Sequence, residues 1–448
     1  MKFSYENYQE LLQAGAFCLP CGFQPYISVN KVQYSTIEKE HDEKKNSYEK
    51  AFRELSRRVG KEYYWKVYPV QSRTLDYAQL AFPAYKFILP EVLAEDWLAI
   101  VDWHKFQRDH ALHQPLTAYI VLKLLGFGNS NNAFKIGNES LLDLSVNQIL
   151  TWSGTRYLKE YLIDMHVMDN ADSDLWFGQS TLSKEMWKAL FIEAACLAAT
   201  FHDMGYPWQY VNILASKLRY SGGQQIESPT DDADNIIRQF GQRLIFCPLN
   251  GYHLLDRNVP ATWHQRLKNL TSLSLRETHG FPGAIGFLYF NDALREFPNL
   301  KIHPIRQFCV EWAAMGIMMH DMGKIYWGDK GTESPPENPQ LQLHFDIDPL
   351  GCIIALADVL EDFERPVVEF SSGDDHSIGY YSTACNSSHL EYVNGTLTIK
   401  YQMKSAKQKA KKRFYMEKEH KEYFAPNVGY LNLAAAGINK VSMESLSP

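Results

Sequence analysis

Two identical four-residue strings, His-Asp-Met-Gly, occur at 202–205 and 320–323 and combine side chains that bind metals. Each follows an apolar run that predicts a buried helix, and the glycine is typical of a helix C-terminus. Neighbouring side chains on a regular helix point about 100° apart, so a histidine and an aspartate can turn toward one metal only where the helix unwinds. A carboxylate in such apolar surroundings needs a cation or strong hydrogen bonds. A single pair is more often a histidine bonded to a carboxylate, so further candidate ligands are needed.

Three more candidates lie on other apolar segments. His113 opens one predicted helix, His279 opens another in the string Thr-His-Gly-Phe-Pro-Gly-Ala, and Asp358 lies inside a third that ends at Arg365-Pro366. The order His, His-Asp, His, His, Asp on successive helices resembles the HD-domain superfamily of metal-dependent phosphohydrolases. The His-Gly-x-x-Gly-Ala opening and the Ala-Asp…Arg-Pro ending resemble one bacterial branch of it, and the likeness covers roughly residues 100–370.

The resemblance implies a site with two divalent metals that share one bridging carboxylate. A first metal would be held by His113, His202, Asp203 and Asp358, with Asp203 bridging to a second metal held by His279 and His320. Imidazole and carboxylate ligands together suit Mn, Fe, Co, Ni or Zn better than Ca, with Mg as a further option. A bridging carboxylate keeps two cations about 3.5–4 Å apart, the separation used in phosphoryl chemistry.

The activity implied by the resemblance is hydrolysis of a phosphoester by a metal-activated water, with Asp203 at its centre. We expect the substrate to be a nucleotide or a cyclic or oligomeric nucleotide signal. Lys324 lies four residues after His320, on the same face if that helix continues, and Arg365 lies seven after Asp358. Either cation could bind the phosphate, although packing or a salt bridge is an equal explanation for Arg365.

Two features depart from the family pattern. The first histidine and the first His-Asp pair are separated by 202 − 113 = 89 residues, which requires an insertion near 126–185. Tyr206 follows Gly205, where many relatives have lysine, so the basic group at the phosphate must come from elsewhere.

The second His-Asp pair also admits another interpretation. His279, His320-Asp321 and Asp358 form a complete short HD series, and the first pair would then belong to a degenerate duplicate. We favour one core that uses both pairs, because the first pair would otherwise lack a closing aspartate. Two other functions remain open: a di-iron oxygenase of the HD type, and a non-catalytic HD module that senses a ligand.

The rest of the chain predicts a mainly α protein. We expect a helical and irregular N-terminal extension at 1–95, an HD-type helical core at 96–370 and a small α/β region at 371–448. Asn394-Gly395 between two alternating stretches predicts a β-hairpin. The basic stretch 404–413 predicts a charged, solvated helix.

Composition bounds the partners and the compartment. A net charge of −7 and a pI near 6.1 argue against nucleic acid as an obligatory partner. Seven cysteines without a dense framework suit a reducing compartment, and the pair Cys18 and Cys21 lacks the further ligands of a zinc site. No apolar run is long enough for a signal peptide or a membrane span. We therefore expect a cytoplasmic protein that binds a small molecule and no membrane, and a homo-oligomer is left open.

Overall fold

A computed structural model describes residues 1–4, 6–7, 110–126, 133–151, 184–203, 205–206, 278–295, 304–362 and 385–447. Helices and strands are numbered below in chain order within these ranges. The described residues are mainly helical, with a small mixed sheet. None of the described helices has the length and apolar character needed to cross a membrane.

Eight α-helices are found in the described ranges. They are α1 (His110–Leu124), α2 (Leu141–Thr151), α3 (Lys184–Phe201), α4 (Gly280–Arg295), α5 (Pro304–His320), α6 (Gly323–Trp327), α7 (Pro349–Leu360) and α8 (Ala406–Glu419). Helices α1, α3, α5 and α7 pack on one another, and α4 packs along α5. Their facing side chains form one continuous apolar core, because few polar residues interrupt these segments.

Short helical turns join these elements. The 3₁₀ turns are Gly331–Glu333, Pro339–Leu341 and Ala434–Ala436, and a π-helical turn, His420–Phe424, continues α8. Helix α7 begins sharply because Asp348 is its N-cap and accepts a hydrogen bond from the Gly351 amide at 2.9 Å.

The strands form one four-stranded sheet and two small ladders. They are β1 (Lys2–Phe3), β2 (Lys135–Ile136), β3 (Glu139–Ser140), β4 (Leu343–His344), β5 (Cys385–Val393), β6 (Thr396–Met403), β7 (Leu431–Asn432) and β8 (Lys440–Leu446). The sheet order is β1-β5-β6-β8, with β6 and β8 parallel and the other neighbours antiparallel. Helix α8 lies in the crossover between the two parallel strands.

The predicted hairpin is confirmed. Strands β5 and β6 are joined by Asn394 and Gly395 alone, whose φ angles are +47° and +80°. Two consecutive residues with positive φ fit the type I′ turn, whose twist matches that of paired strands.

The ends of the described chain meet in this sheet. Strand β1 pairs with β5, so Lys2 and the fully buried Phe3 lie in the same sheet as the C-terminal strands. Strands β4 and β7 also pair, which ties the segment before α7 to the C-terminal region. The predicted boundaries near 95 and 370 and the pair Cys18 and Cys21 lie outside the described residues.

One residue of the basic stretch does not match the prediction of a solvated helix. Lys412 is buried, and its ammonium group lies 2.9 Å from the Asp362 carboxylate and 4.1 Å from the centre of the Tyr401 ring. Buried charges occur where they are paired, so Lys412 fastens α8 to the residues that follow α7. Arg413 beside it is exposed, as predicted.

Candidate metal centre

The six residues predicted as metal ligands lie together where the helices of the core converge. His113 is in the first turn of α1, His279 directly precedes α4, and Asp358 is in the last turn of α7. His202 and Asp203 follow the end of α3, and His320 is the last residue of α5. Five of the six are buried, and Asp358 keeps a side chain that is 20% exposed.

The histidines face one another in two pairs through their Nε2 atoms. The Nε2 atoms of His113 and His202 are 3.1 Å apart, and those of His279 and His320 are also 3.1 Å apart. The rings of His202 and His320 are edge-to-face at 5.1 Å, which joins the two pairs into one cluster.

Asp203 lies between the two histidine pairs. Its Oδ2 is 3.4 Å from Nε2 of His113, and its Oδ1 is 3.0 Å from Nε2 of His279. The same Oδ1 lies 3.4 Å from Nε2 of His202 and 4.0 Å from that of His320. Its side chain has no exposed surface, so this carboxylate reaches all four imidazoles in a region without water access.

Asp358 approaches the cluster from the first histidine pair. Its Oδ1 lies 3.0 Å from Nε2 of His113 and 3.9 Å from Nε2 of His202. Two sets of donor atoms are compact enough to hold an ion, with all atoms of a set within 4.8 Å of one another. These sets are His113 with His202 and Asp358, and His202 with Asp203 and His320.

The other ring nitrogen of two histidines is held by a backbone carbonyl. Nδ1 of His202 lies 2.8 Å from the Ala199 oxygen, and Nδ1 of His320 lies 2.6 Å from the Ile317 oxygen. A carbonyl oxygen only accepts hydrogen bonds, so Nδ1 must carry the hydrogen in both rings. When neutral, each ring therefore presents the lone pair of Nε2 to the cluster.

Carboxylates hold the other two histidines in the same way. Nδ1 of His113 lies 2.5 Å from Oε2 of the buried Glu361, and Nδ1 of His279 lies 2.8 Å from Oδ2 of Asp321. Such partners fix the orientation of a metal-binding imidazole and raise its basicity. Sequence reasoning missed both partners. Glu361 lies three residues after Asp358, a helical spacing that brings two side chains to one face and could have indicated this role.

This arrangement fits a bound cation. When all four rings are neutral, each Nδ1 hydrogen is bonded outward and each Nε2 lone pair points inward. Two such Nε2 atoms 3.1 Å apart repel each other unless a proton or a metal lies between them. The buried negative charge of Asp203 also needs a nearby proton or cation, since an isolated carboxylate in a dry interior is strongly unfavourable. Imidazole and carboxylate donors of this kind suit transition metals.

The protonation states of the histidines differ sharply. Burial lowers the pKa of His202 to about 3, and burial likewise lowers the pKa of His320. Burial alone would also lower the pKa of His279, but Asp321 and Asp203 outweigh it and raise that pKa to about 10. Without a metal, His279 therefore carries an extra proton near neutral pH, whereas His202 is neutral.

A glycine allows the two halves of the centre to approach. A Cβ atom built on Gly205 would lie only 1.8 Å from the backbone oxygen of His279 and 2.5 Å from the Gly283 amide. No residue with a side chain fits there without moving the start of α4. Tyr206, at the position where lysine is common in the HD family, stacks on the His279 ring with centroids 4.0 Å apart and planes 14° apart.

The remaining predictions for the site have different outcomes. The 89-residue gap between His113 and His202 contains the β2–β3 hairpin and α2, which packs against α3. The continuous helix assumed for Lys324 is absent: α5 ends at His320 and α6 begins at Gly323, where Lys324 is exposed. Arg365 lies outside the described residues. One cluster contains both His-Asp pairs.

Comparisons of the chain with protein-family models, curated proteins and solved structures find no match. The likeness to the HD superfamily therefore remains a resemblance in the order of the ligands. What the geometry adds is independent of it: a buried cluster of histidines and aspartates that could hold a metal ion.

Proposed function

We propose that this chain is a metal-dependent phosphohydrolase of the HD type that cleaves a phosphoester bond in a nucleotide or a cyclic or oligomeric nucleotide signal. The observation that carries the proposal is the convergence of four outwardly anchored imidazoles on the buried carboxylate of Asp203. Such a cluster would not stabilise a purely structural core, because each buried charged group costs free energy unless it is paired or bound to a metal.

The proposed ligands divide into two sets with Asp203 between them. His113, His202 and Asp358 would hold one ion, His279 and His320 would hold a second, and Asp203 is near ring nitrogens of both sets. Bound divalent metal supplies hydroxide at neutral pH and positive charge beside the phosphoryl oxygens. A dinuclear site of Mn, Fe, Co, Ni or Zn, with Mg as a further option, is the form we propose.

The chain's own groups would set the reacting geometry. Glu361 and Asp321 hold the rings of His113 and His279, so two ligands cannot rotate away from the centre. Substrate would enter beside Asp358, the ligand with an exposed side chain. Lys324 and Arg365 remain candidates for the cation that binds phosphate.

Metal content is the decisive first measurement. Wild-type protein purified without chelators should contain about two transition-metal ions per chain, and Asp203→Ala should lose them. Asp329→Ala provides the matched control, since Asp329 is exposed on the turn after α6 and its removal changes the net charge equally. Wild type without metal, even after reconstitution with Mn or Fe, would overturn the proposal and leave a non-catalytic helical module.

Turnover then separates the candidate reactions. Metal-loaded wild type should hydrolyse bis(p-nitrophenyl) phosphate or p-nitrophenyl phosphate, and a panel of nucleotides should identify the substrate class. Asp203→Ala should be inactive while Asp329→Ala is unchanged. Iron-loaded protein that consumes oxygen with a small organic substrate and hydrolyses no phosphoester would instead support the di-iron oxygenase.

A further inference from the structure

The C-terminal region is hydrogen-bonded to α6, the short helix that follows the second His-Asp pair. The Tyr326 hydroxyl of α6 donates to the Val428 oxygen at 2.8 Å, and the Trp327 indole donates to the Glu422 oxygen at 2.9 Å. Both acceptors lie in or just after the π-helical turn His420–Phe424. Turns of this kind are uncommon and frequently occur at functional sites.

A second attachment joins the same region to the end of α5. Tyr430 is fully buried and its hydroxyl donates to the backbone oxygen of Met319, the residue before His320. The side chain of Gln342 donates to the Gly429 oxygen at 2.8 Å, next to the parallel pairing of β4 with β7. These hydrogen bonds hold the residues around the turn next to the end of α5, which carries His320.

Tyr423 is the residue of this turn that reaches the second His-Asp-Met-Gly string. A Cβ atom built on Gly323 would lie 3.8 Å from Cζ of Tyr423, the ring carbon that bears the hydroxyl. The ring packs edge-to-face on Tyr430 with centroids 6.0 Å apart. Its hydroxyl makes no hydrogen bond with any residue that the structure describes.

Two partly exposed carboxylates of the cluster act electrostatically on Tyr423. Asp358 and Asp321 have side chains that are 20% and 22% exposed, whereas Asp203 has no exposed surface. Burial raises the pKa of Tyr423 well above its ordinary value, and the negative charges of Asp321 and Asp358 raise it further. The hydroxyl therefore keeps its hydrogen and is a donor at every physiological pH.

We propose that Tyr423 is a substrate-binding residue whose hydroxyl donates a hydrogen bond to a non-bridging oxygen of the phosphate group bound at the metal centre. This inference rests on the proposed function. It makes the C-terminal region a part of the binding site, with Tyr423 beside Gly323 of the second His-Asp-Met-Gly string. A neutral hydroxyl can bind the phosphate here without a further cation beside the partly exposed carboxylates of Asp321 and Asp358.

The test measures phosphate binding separately from turnover. Wild type and Tyr423→Phe are loaded with Co(II), and inorganic phosphate is titrated while the visible spectrum of the metal is recorded. Loss of one hydrogen bond to a charged group should weaken phosphate binding about 10-fold or more while both proteins hold equal metal. Hydrolysis of p-nitrophenyl phosphate should fall by a similar or larger factor.

Tyr392→Phe is the matched control for this experiment. The Tyr392 hydroxyl donates to the Gly437 oxygen after the last 3₁₀ turn, so this variant loses the same group from the same region without affecting phosphate. Equal phosphate binding and equal turnover in wild type and Tyr423→Phe would overturn the inference while leaving the proposed function intact. Phosphate binding that depends on Tyr423 in a protein without phosphoester turnover would support the inference and contradict the proposed reaction. A metal-loaded wild type that binds no phosphate would overturn both.

Discussion

Asp203 and Asp321 occupy the same position in two identical strings, yet they make different contacts. Asp203 faces the Nε2 atoms of the histidines, 3.0 Å from that of His279, whereas Asp321 binds Nδ1 of the same ring at 2.8 Å. Asp321 also accepts the backbone amides of His279 and Gly280 at 2.8 and 3.4 Å, so it caps the start of α4. Asp203 therefore lies where a ligand could bind a metal, whereas Asp321 holds the ring and the backbone of His279.

The orienting role predicts the effect of removing the charge at Glu361. In Glu361→Gln the His113 ring keeps its place in α1 but loses the charged acceptor of its Nδ1 hydrogen, so its Nε2 becomes a weaker donor. We expect metal affinity to fall about 10- to 100-fold, as is usual for such partners. Competition with a chromophoric chelator measures this. Glu333→Gln, an exposed carboxylate on a 3₁₀ turn, should bind metal like wild type, and an unchanged affinity in Glu361→Gln would contradict the assigned role.

Metal uptake should release a proton from His279. In the metal-free protein its pKa is about 10, raised above the ordinary 6.5, so the ring is protonated at pH 8 and must lose that proton to bind metal through Nε2. The pKa of His202 is about 3, so that ring has no proton to lose. Metal affinity should therefore rise with pH, by about tenfold per pH unit, until the pH nears 10.

Calorimetry of metal binding in two buffers with different ionisation enthalpies counts the protons released. We expect about one proton per chain from this ring at pH 8, and fewer in Asp321→Asn, where the charge that raises the pKa of His279 is gone. The raised pKa also stabilises the metal-free fold fully below pH 6.5, and this contribution is lost as the pH rises through 10. Proton release that is equal in wild type and Asp321→Asn would contradict this explanation.

The glycines of the two strings should differ in their tolerance of a side chain. In Gly205→Ala the new Cβ would meet the His279 oxygen at 1.8 Å, and backbone atoms can give way only if α4 moves. Gly323→Ala is the matched control at the same position of the second string, where the nearest atoms belong to the Tyr430 ring at 3.6 Å. We expect Gly205→Ala to unfold more easily by about 1–3 kcal/mol or more and to lose metal, with Gly323→Ala near wild type. Thermal unfolding and metal content measure both, and equal behaviour would show that α4 adapts.

The residues of the cluster could be predicted from sequence because several of them carry a local signal. His-Asp before glycine marks a helix end, and a lone Asp358 in an apolar helix stands out where an unpaired charge is costly. These signals do not depend on how the helices are arranged in space. The same holds for the hairpin, whose Asn394-Gly395 turn is specified by two adjacent residues.

The supporting contacts could not be predicted because they join residues that are distant in sequence. Glu361 meets His113 across 248 residues, and Tyr423 reaches Gly323 only because the chain after β6 returns to α6. Nor does sequence separate Asp203 from Asp321, since the strings are identical and only the position of α4 decides which aspartate faces the histidines. The prediction that Lys412 is solvated was wrong because composition records charge and not the partly buried Asp362 that pairs with it.

Asp348, a buried carboxylate outside the metal centre, should make the free energy of unfolding depend on pH. Burial raises the pKa of Asp348 to about 6 from an ordinary 3.8, although the Gly351 amide bonds one of its oxygens. Because the folded state holds this proton more tightly, its contribution to stability is complete below pH 3.8 and is lost as the pH rises through 6. The difference between the two pKa values corresponds to roughly 3 kcal/mol.

Replacing Asp348 by asparagine keeps a capping oxygen for α7 and removes the ionisation. Urea unfolding of chelator-treated wild type and Asp348→Asn, at several pH values from 4 to 7.5, should show wild type losing about 3 kcal/mol relative to the variant as the pH rises. Comparing the two proteins cancels the histidines and other groups that titrate in the same range. Asp346→Asn, an exposed carboxylate two residues earlier, should follow wild type. Parallel pH profiles for wild type and Asp348→Asn would mean that Asp348 is ionised at little cost and that its second oxygen has a polar partner in solution.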